Sequence, residues 1–261
     1  MKFQIKTQLN LGLSNQTFID INDIFIRYSK SETNVFFNRQ NEINVIKNII
    51  PFFTETITII DYGFDDNNFY VASKFEKKFK HLNDVEIDDK LIEQVIMIIK
   101  KFHQIPIKNK VELFDYEKYI YWFYNRTKNW IDRPLEITEI DKCLTKLRNK
   151  PMDIVLCHQD LVPGNILIFD NKIKIIDFEF SYLNDKYFDY ASLISESFQN
   201  DQKYKNIIFE KMKFDTKEIE QVELWIQYQN FLWALWSNYL YQETHKPIYK
   251  TIYFEKIKNI K

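Results

Sequence analysis

The spacing of apolar residues separates a strand-rich beginning of the chain from a largely helical remainder. Two β-rich runs flank an Asn-Asp turn in TFIDINDIFIRY, which predicts a hairpin. Two further strands are predicted in TITIIDYG and NNFYVASKF, joined by a polar turn around Asp65 to Asn68. Between these pairs, NRQNEINVIKNI carries isoleucines at helical spacing, and this predicted helix is expected to stop at Pro51.

After about residue 76 the pattern takes the period of helices. LIEQVIMIIKKFHQI has one apolar face, and a further helix is predicted from Tyr116 to Trp130. Two short strands, Asn165 to Phe169 and Lys172 to Asp177, are joined by an Asp-Asn turn, and most of the rest is helical. The pattern therefore predicts an α+β fold with two lobes, a small β-rich N-lobe (residues 1–75) and a larger, mainly helical C-lobe (residues 76–261).

Composition narrows the classes of function. The formal net charge of the 261 residues is -1, and acids and bases are mixed along the chain, which argues against nucleic-acid binding. The stretch LWIQYQNFLWALWSNYLY contains two Gln and two Asn, so it is predicted to be a buried helix and not a membrane span. The two cysteines have no metal-ligand spacing and suit a reducing compartment. With no apolar signal core in MKFQIKTQLN, a cytoplasmic location is expected.

The polar residues of LCHQDLVPGNILIFDNKIKIIDFE have the spacing of a phosphoryl-transfer site. Phosphoryl transfer needs a positioned hydroxyl and cations that offset phosphate charge. Asp160 can accept a hydrogen bond from a substrate hydroxyl, while Asn165 and Asp177 supply the oxygen ligands that Mg²⁺ prefers. His158 is expected to hold the loop by a hydrogen bond to the backbone. A single Asp or Asn beside a strand is usually a turn or cap residue, but the joint pattern favours the catalytic interpretation.

Several details favour a small-molecule substrate over a protein. Val162 stands where protein kinases commonly place a Lys, and the metal-binding triplet ends in Glu179 instead of Gly. No Ala-Pro-Glu follows, and YFDYASLISE comes within a few residues, which leaves little room for an activation loop.

The segments HQDLVPGNIL, IIDFEFS, YFDYASLISE and FLWALWS together resemble the choline/ethanolamine kinase family, within the wider aminoglycoside-phosphotransferase-like group. The resemblance implies a bilobal, protein-kinase-like fold that binds ATP and Mg²⁺ between the lobes. It implies that Asp160 is the catalytic base and that Asn165 and Asp177 are metal ligands. Glu179 is then expected to support the metal shell, and Asp189 to brace the catalytic loop.

The same resemblance assigns nucleotide-binding roles in the N-lobe. GLSNQ is similar to the family's phosphate-covering turn, with Gly12, Ser14 and Asn15 as donors, although a plain hairpin turn is the alternative. Arg27 stands where protein kinases put a phosphate-contacting Lys, and Glu42 is its expected partner; the alternative is that either residue is a solvated surface charge. The segment Ala72 to Glu76, which includes Phe75, is expected to form the hinge against adenine.

Aromatic residues are expected to recognise the substrate cation. A quaternary ammonium donates no N–H hydrogen bond, so it is bound by aromatic faces and nearby negative charge. Trp233 and Trp236 lie three apart on a predicted helix, and in the family such a pair lines the choline pocket; simple core packing is the alternative. By resemblance, Phe180 and Glu196 contribute an aromatic ring and an acid to the same pocket.

These features predict an ATP- and Mg²⁺-dependent choline kinase that is cytoplasmic and monomeric or homodimeric, without a nucleic-acid or membrane partner. Three alternatives stay open. They are ethanolamine as the preferred substrate, an aminoglycoside or another hydroxylated amine, and a non-catalytic binding module.

Overall fold

An antiparallel sheet of five strands forms the N-terminal part of the chain in the computed structural model, which describes residues 2–9, 12–30 and 33–260. The strands are β1 (Ile5–Leu9), β2 (Asn15–Asp20), β3 (Ile24–Ser29), β4 (Ile59–Asp65) and β5 (Asn68–Lys74). They lie in the order β1-β2-β3-β5-β4. The hairpin predicted at the Asn-Asp turn is confirmed as the antiparallel pair β2–β3.

Helix α1 (Arg39–Phe52) connects β3 to β4. Its first turn is capped by Asn38, whose Oδ1 accepts a hydrogen bond from the backbone N–H of Asn41 at 3.0 Å. The helix runs one residue past the predicted stop, because Pro51 lies in the last turn and costs only one backbone hydrogen bond there. The N–H of Phe53 then closes the helix on the carbonyl oxygen of Ile49.

A second sheet carries the segment that the sequence marks as catalytic. It consists of β6 (Lys80–His81), β8 (Ile166–Phe169) and β9 (Lys172–Ile175) in the order β6-β8-β9, and the register sets Ile166 opposite Ile175. A further two-stranded sheet pairs β7 (Ile154–Cys157) with β10 (Tyr182–Asp185), neither of which was predicted. Helix α2 (Asp89–His103) follows β6 in the chain.

The remaining elements are helices: α3 (Tyr116–Tyr124), α4 (Ile137–Arg148), α5 (Tyr187–Ser192), α6 (Gln202–Met212), α7 (Thr216–Thr244) and α8 (Pro247–Ile257). Helix α5 continues into a π-helical turn, Leu193–Ser197. Helix α7 contains the predicted buried stretch, and Trp225, Tyr228 and Phe231 on it are fully buried. Across the described ranges, no helix combines the length and the apolar character needed to cross a bilayer.

The helix predicted from Tyr116 to Trp130 is too long, because α3 ends at Tyr124. Side chains of α7 capture the backbone beyond it. The N–H of Lys128 donates to Oε1 of Gln242 at 2.8 Å, and the N–H of Ile131 donates to Oδ1 of Asn238 at 2.8 Å. These donors would face carbonyl oxygens of the preceding turn in a continued helix, so tertiary acceptors hold the segment as a loop.

The chain folds into two compact units. The first comprises Met1–Glu112 and Val155–Leu183, and the second comprises Leu113–Ile154 and Asn184–Lys261. Strands followed by helices confirm the predicted α+β organisation. The predicted lobe boundary at residue 76 does not coincide with these units and stays a prediction.

Candidate functional site

The residues predicted to carry chemistry lie in the loops that flank β8 and β9. Asn165 closes a short 3₁₀ turn just before β8, and Asp177 follows β9. The backbone N–H of Ile176 donates to the carbonyl oxygen of Asn165 at 3.0 Å, which continues the pairing of the two strands. Asn165, which precedes β8, and Ile176, which follows β9, are thereby held next to each other.

Asp160 lies beside this pair. Nδ2 of Asn165 donates to the backbone oxygen of Asp160 and to its Oδ2, each at 2.9 Å. Because the amide nitrogen faces Asp160, the amide oxygen of Asn165 is turned away from that carboxylate. The first unit therefore brings Asp160, Asn165 and Asp177 together, as the spacing predicts.

His158 connects the same loops through the backbone. Its Nε2 lies 2.9 Å from the carbonyl oxygen of Ile176, next to Asp177. Its ring packs edge-on against Phe178, with the ring centroids 5.4 Å apart. These contacts are those of a residue that holds the loop.

The backbone on either side of this loop is unusual. Gln159 has φ 66° and Asp177 has φ 68°, values in the left-handed region that residues other than glycine seldom adopt. Such conformations concentrate at functional sites, where surrounding contacts maintain them. Here the two left-handed residues turn the chain next to Asp160 and at Asp177, while β8 and β9 stay paired.

Two arginines and two glutamates form a buried ring of ion pairs beside Asp177. Arg27 on β3 pairs with Glu42 on α1 and, at 2.8 Å, with Glu179. Nη1 of Arg39 lies 2.9 Å from Oε2 of Glu42 and 2.9 Å from Oε2 of Glu179. Each glutamate thus bridges both arginines, and Nη1 of Arg27 also lies 3.3 Å from Oδ1 of Asp177.

Burial and the charges of this ring shift the pKa of Asp177 and the pKa of Glu179 in opposite directions. Burial raises the pKa of Asp177, and the charges of Glu179 and Glu42 add to the increase against the opposing effect of Arg27. Burial acts in the same direction on Glu179, but Arg27 and Arg39 outweigh it and hold the pKa of Glu179 below its ordinary value. Both arginines therefore favour the charged form of Glu179.

Glu179 also binds the turn between β1 and β2. Oγ of Ser14 donates to its Oε1 at 2.6 Å, and Nδ2 of Asn15 lies 3.1 Å from both carboxylate oxygens. Gly12 in this turn has φ +76°, a left-handed conformation that explains the glycine. The side-chain donors predicted to face phosphate are directed at Glu179, so the role of Gly12, Ser14 and Asn15 toward phosphate stays a prediction.

The donor set at Asp177 fits a hard divalent cation. Oδ1 of Asp177 is buried and receives no hydrogen bond from any described residue, although the Arg27 guanidinium lies near it. A buried carboxylate oxygen left in this state is costly unless a cation satisfies it. Asn165 and Asp177 would hold Mg²⁺, which favours such oxygen ligands.

Two further predicted residues lie in the first unit. Phe75, expected at the adenine hinge, follows β5 and stacks on Phe25, with the ring centroids 6.3 Å apart. Phe180, expected in the substrate pocket, is buried and packs edge-on against Phe37 at 4.7 Å. Neither contact shows whether Phe75 binds adenine or Phe180 binds the substrate, so both roles stay predictions.

The second unit contains the aromatic pair. Trp233 and Trp236 on α7 pack edge-on with their ring centroids 6.0 Å apart, and each residue is 7% exposed. Tyr249 on α8, which was not predicted, packs edge-on against Trp236 at 5.5 Å. Nε1 of Trp236 is buried and has no acceptor among the described residues.

The two predicted acids of the second unit differ in their surroundings. Glu196 lies in the π-helical turn, and Nζ of Lys256 donates to its Oε1 at 2.5 Å. Asp189 lies in the first turn of α5 and is fully buried. Its predicted action on the catalytic loop stays a prediction.

Comparison with known proteins assigns the chain to a family. Residues 76–236, more than half of the chain, match the model of the phosphotransferase enzyme family. The chain belongs to that family.

Individual relatives indicate which members it resembles. Protein LicA of Haemophilus influenzae is 24% identical over 170 residues, which are 60% of this chain and 50% of that protein. The crystal structure of choline kinase LicA from Streptococcus pneumoniae aligns with a TM-score of 0.80 and 18% identity over 98% of this chain and 94% of that one. The APH(2")-IIia complex with GDP and kanamycin aligns with a TM-score of 0.72 and 16% identity, over 99% and 93%. The predicted kinase-like fold is confirmed.

Proposed function

We propose that this phosphotransferase transfers the γ-phosphate of ATP to the hydroxyl group of choline and yields phosphocholine. The proposal of phosphoryl transfer rests on the contact of Asn165 Nδ2 with Asp160 Oδ2 at 2.9 Å, beside Asp177. This contact supports a role for the Asp160 carboxylate as acceptor of the substrate's proton, with Asn165 and Asp177 as the neighbouring oxygen ligands of a cation. The choice of choline is supported by the similarity to choline kinase LicA and by the tryptophan pair.

In this mechanism each residue of the loop has a separate task. Asp160 accepts a hydrogen bond from the choline hydroxyl and orients its oxygen toward the phosphate. Asn165 fixes the Asp160 carboxylate through Nδ2, and His158 holds the loop on the backbone at Ile176. When Mg²⁺ is bound at Asn165 and Asp177, it offsets the charge of the phosphates.

The buried ring positions the nucleotide end of the site. Burial alone lowers the pKa of Arg27, but Asp177, Glu42 and Glu179 more than compensate and raise it, so the guanidinium stays charged. It presents that charge to the phosphates, since a planar guanidinium can contact two oxygens at once. Gly12 to Asn15 cover the phosphates through backbone N–H groups, and the segment around Phe75 contacts adenine.

Initial rates with a panel of amino alcohols test the substrate. Choline, ethanolamine and kanamycin are each mixed with ATP, Mg²⁺ and the protein, and release of ADP is followed. The proposal expects the highest kcat/KM with choline. A higher kcat/KM with kanamycin would assign the protein to antibiotic modification, and ADP release that no acceptor stimulates would favour the non-catalytic binding module.

A further inference from the structure

The predicted acid of the amine pocket already has a cationic partner. Nζ of Lys256 donates to Oε1 of Glu196 at 2.5 Å, and the two side chains are 9% and 12% exposed. Oγ of Ser195 lies 3.0 Å from the same carboxylate oxygen and 2.9 Å from Oε1 of Gln229. Glu196 is thus held by an ammonium and placed near α7 by its neighbour.

One face of α8 supplies both this cation and an aromatic ring. Tyr249 and Lys256 are seven residues apart, two turns of a helix, so they project from the same side. Tyr249 contacts Trp236, and Lys256 contacts Glu196. Gln229, linked to Glu196 through Ser195, lies one turn before Trp233 on α7. The ion pair and the tryptophan pair therefore belong to one cluster within the second unit.

A buried lysine is costly and is kept only with a partner. Here Lys256 offsets the negative charge that Glu196 would otherwise present to a substrate. A primary ammonium relies on carboxylates that accept its N–H groups, whereas a trimethylammonium has no N–H and is attracted by aromatic faces. Neutralising the charge of Glu196 consequently weakens the binding of a primary amine more than that of a quaternary one.

We infer that Lys256 is a specificity-determining residue, which neutralises Glu196 so that the pocket selects quaternary ammonium alcohols over primary amines. This inference rests on the proposed function, because it concerns the acceptor of the same transfer. It differs from the prediction that Glu196 itself holds the trimethylammonium. In the inferred arrangement the indole rings bind the cation and Glu196 binds Lys256.

Substrate selectivity of Lys256→Met tests the inference. The ratio of kcat/KM for ethanolamine to kcat/KM for choline is expected to rise about tenfold, since the freed carboxylate can accept N–H groups. Lys256→Arg, which keeps the charge, should restore the native ratio. The double variant Lys256→Met with Glu196→Gln should also return the ratio toward the native value, because the freed acid is gone. Lys258→Met removes an exposed lysine just beyond α8 and should leave the ratio unchanged.

A second measurement uses only the native protein and therefore does not depend on whether a variant folds. Across choline, dimethylethanolamine, monomethylethanolamine and ethanolamine, kcat/KM is expected to fall with each methyl group lost. An unchanged ratio in a folded Lys256→Met protein that still prefers choline overturns the inference alone. An increase along that series overturns both the inference and the proposed choice of choline. An equal fall of both KM values in Lys256→Met overturns it too, since Lys256 would then be a cation that either substrate displaces. A protein that phosphorylates none of the four amines overturns the proposed function as well.

Discussion

Nη1 of Arg39 donates to Oε2 of Glu179 at 2.9 Å, although 140 residues separate them in sequence. The bond joins the first turn of α1 to the segment that follows Asp177. Arg39 also pairs with Glu42, its guanidinium lies 4.4 Å above the ring of Phe37, and its Nη2 is buried without a partner among the described residues. It is the second arginine of the ring and was not predicted.

Arg39→Met should lower the free energy of unfolding by about 3 kcal/mol, because Glu42 and Glu179 would stay buried with only Arg27 between them. It should also raise the KM for ATP, since Glu179 holds the turn at Ser14. Urea unfolding and initial rates measure the two effects. Arg148→Met is the control, because Arg148 forms an exposed ion pair with Glu117 and its loss should change little. Equal effects of the two substitutions would contradict a special role for the ring.

Trp236→Leu should raise the KM for choline about tenfold and leave the KM for ATP unchanged, because it removes a ring that attracts the cation. Trp236→Phe keeps an aromatic face and should have the smaller effect. Steady-state kinetics with each substrate varied in turn separate the two constants. If Trp236 is only core, both variants will lose stability while the KM for choline stays at its native value.

Asp185 predicts a pH dependence of stability. It is fully buried, and burial raises the pKa of its carboxyl even though Trp225 at 2.7 Å and Gln221 donate to it. A raised pKa in the folded state means that its contribution to stability is complete below the unfolded pKa of about 4. That contribution is lost as the pH rises through the folded pKa.

Urea unfolding of the native protein and of Asp185→Asn, at several pH values from about 4 to about 8, measures that loss. The variant should gain stability relative to the native protein as the pH rises, because only the native protein has an ionising group at this position. Two curves that run parallel over the whole range would contradict the assignment.

The two cysteines should report on the two compact units separately. Cys143 lies in the second unit and Cys157 in the first, and both side chains are buried. Burial raises the pKa of the Cys143 thiol to about 12, so little reactive thiolate forms at neutral pH. A maleimide should label neither residue in the folded protein and both in urea, as read by peptide mass spectrometry. Rapid labelling of Cys143 without urea would contradict its burial.

Local patterns predicted the elements that local chemistry decides. The β2–β3 hairpin, the strands β8 and β9 and the buried α7 follow from alternation, turn residues and helical period. The end of α3 did not, because acceptors on α7 more than 100 residues away hold the segment that follows.

The site divides in the same way. The spacing of Asp160, Asn165 and Asp177 was informative because one strand pair brings them together. Arg39 has Glu42 three residues later, but nothing nearby in the sequence indicates Glu179. In the sequence, nothing distinguishes Lys256 from the other lysines of the C-terminal segment. Its contact with Glu196 is formed only when α8 packs against α7. Pairs that tertiary packing creates carry no sequence period, which is why both residues were missed.

The most direct test of phosphoryl transfer is product formation by the native protein and by Asp160→Asn. With ATP, Mg²⁺ and choline, ³¹P NMR should show phosphocholine accumulating with the native protein. Asp160→Asn should lower that rate at least about a thousandfold and leave ATP affinity within a factor of about two, because it removes the proton acceptor and keeps the size of the side chain. Phosphocholine formed at the native rate by Asp160→Asn, or free phosphate as the sole product of the native protein, would contradict the assignment.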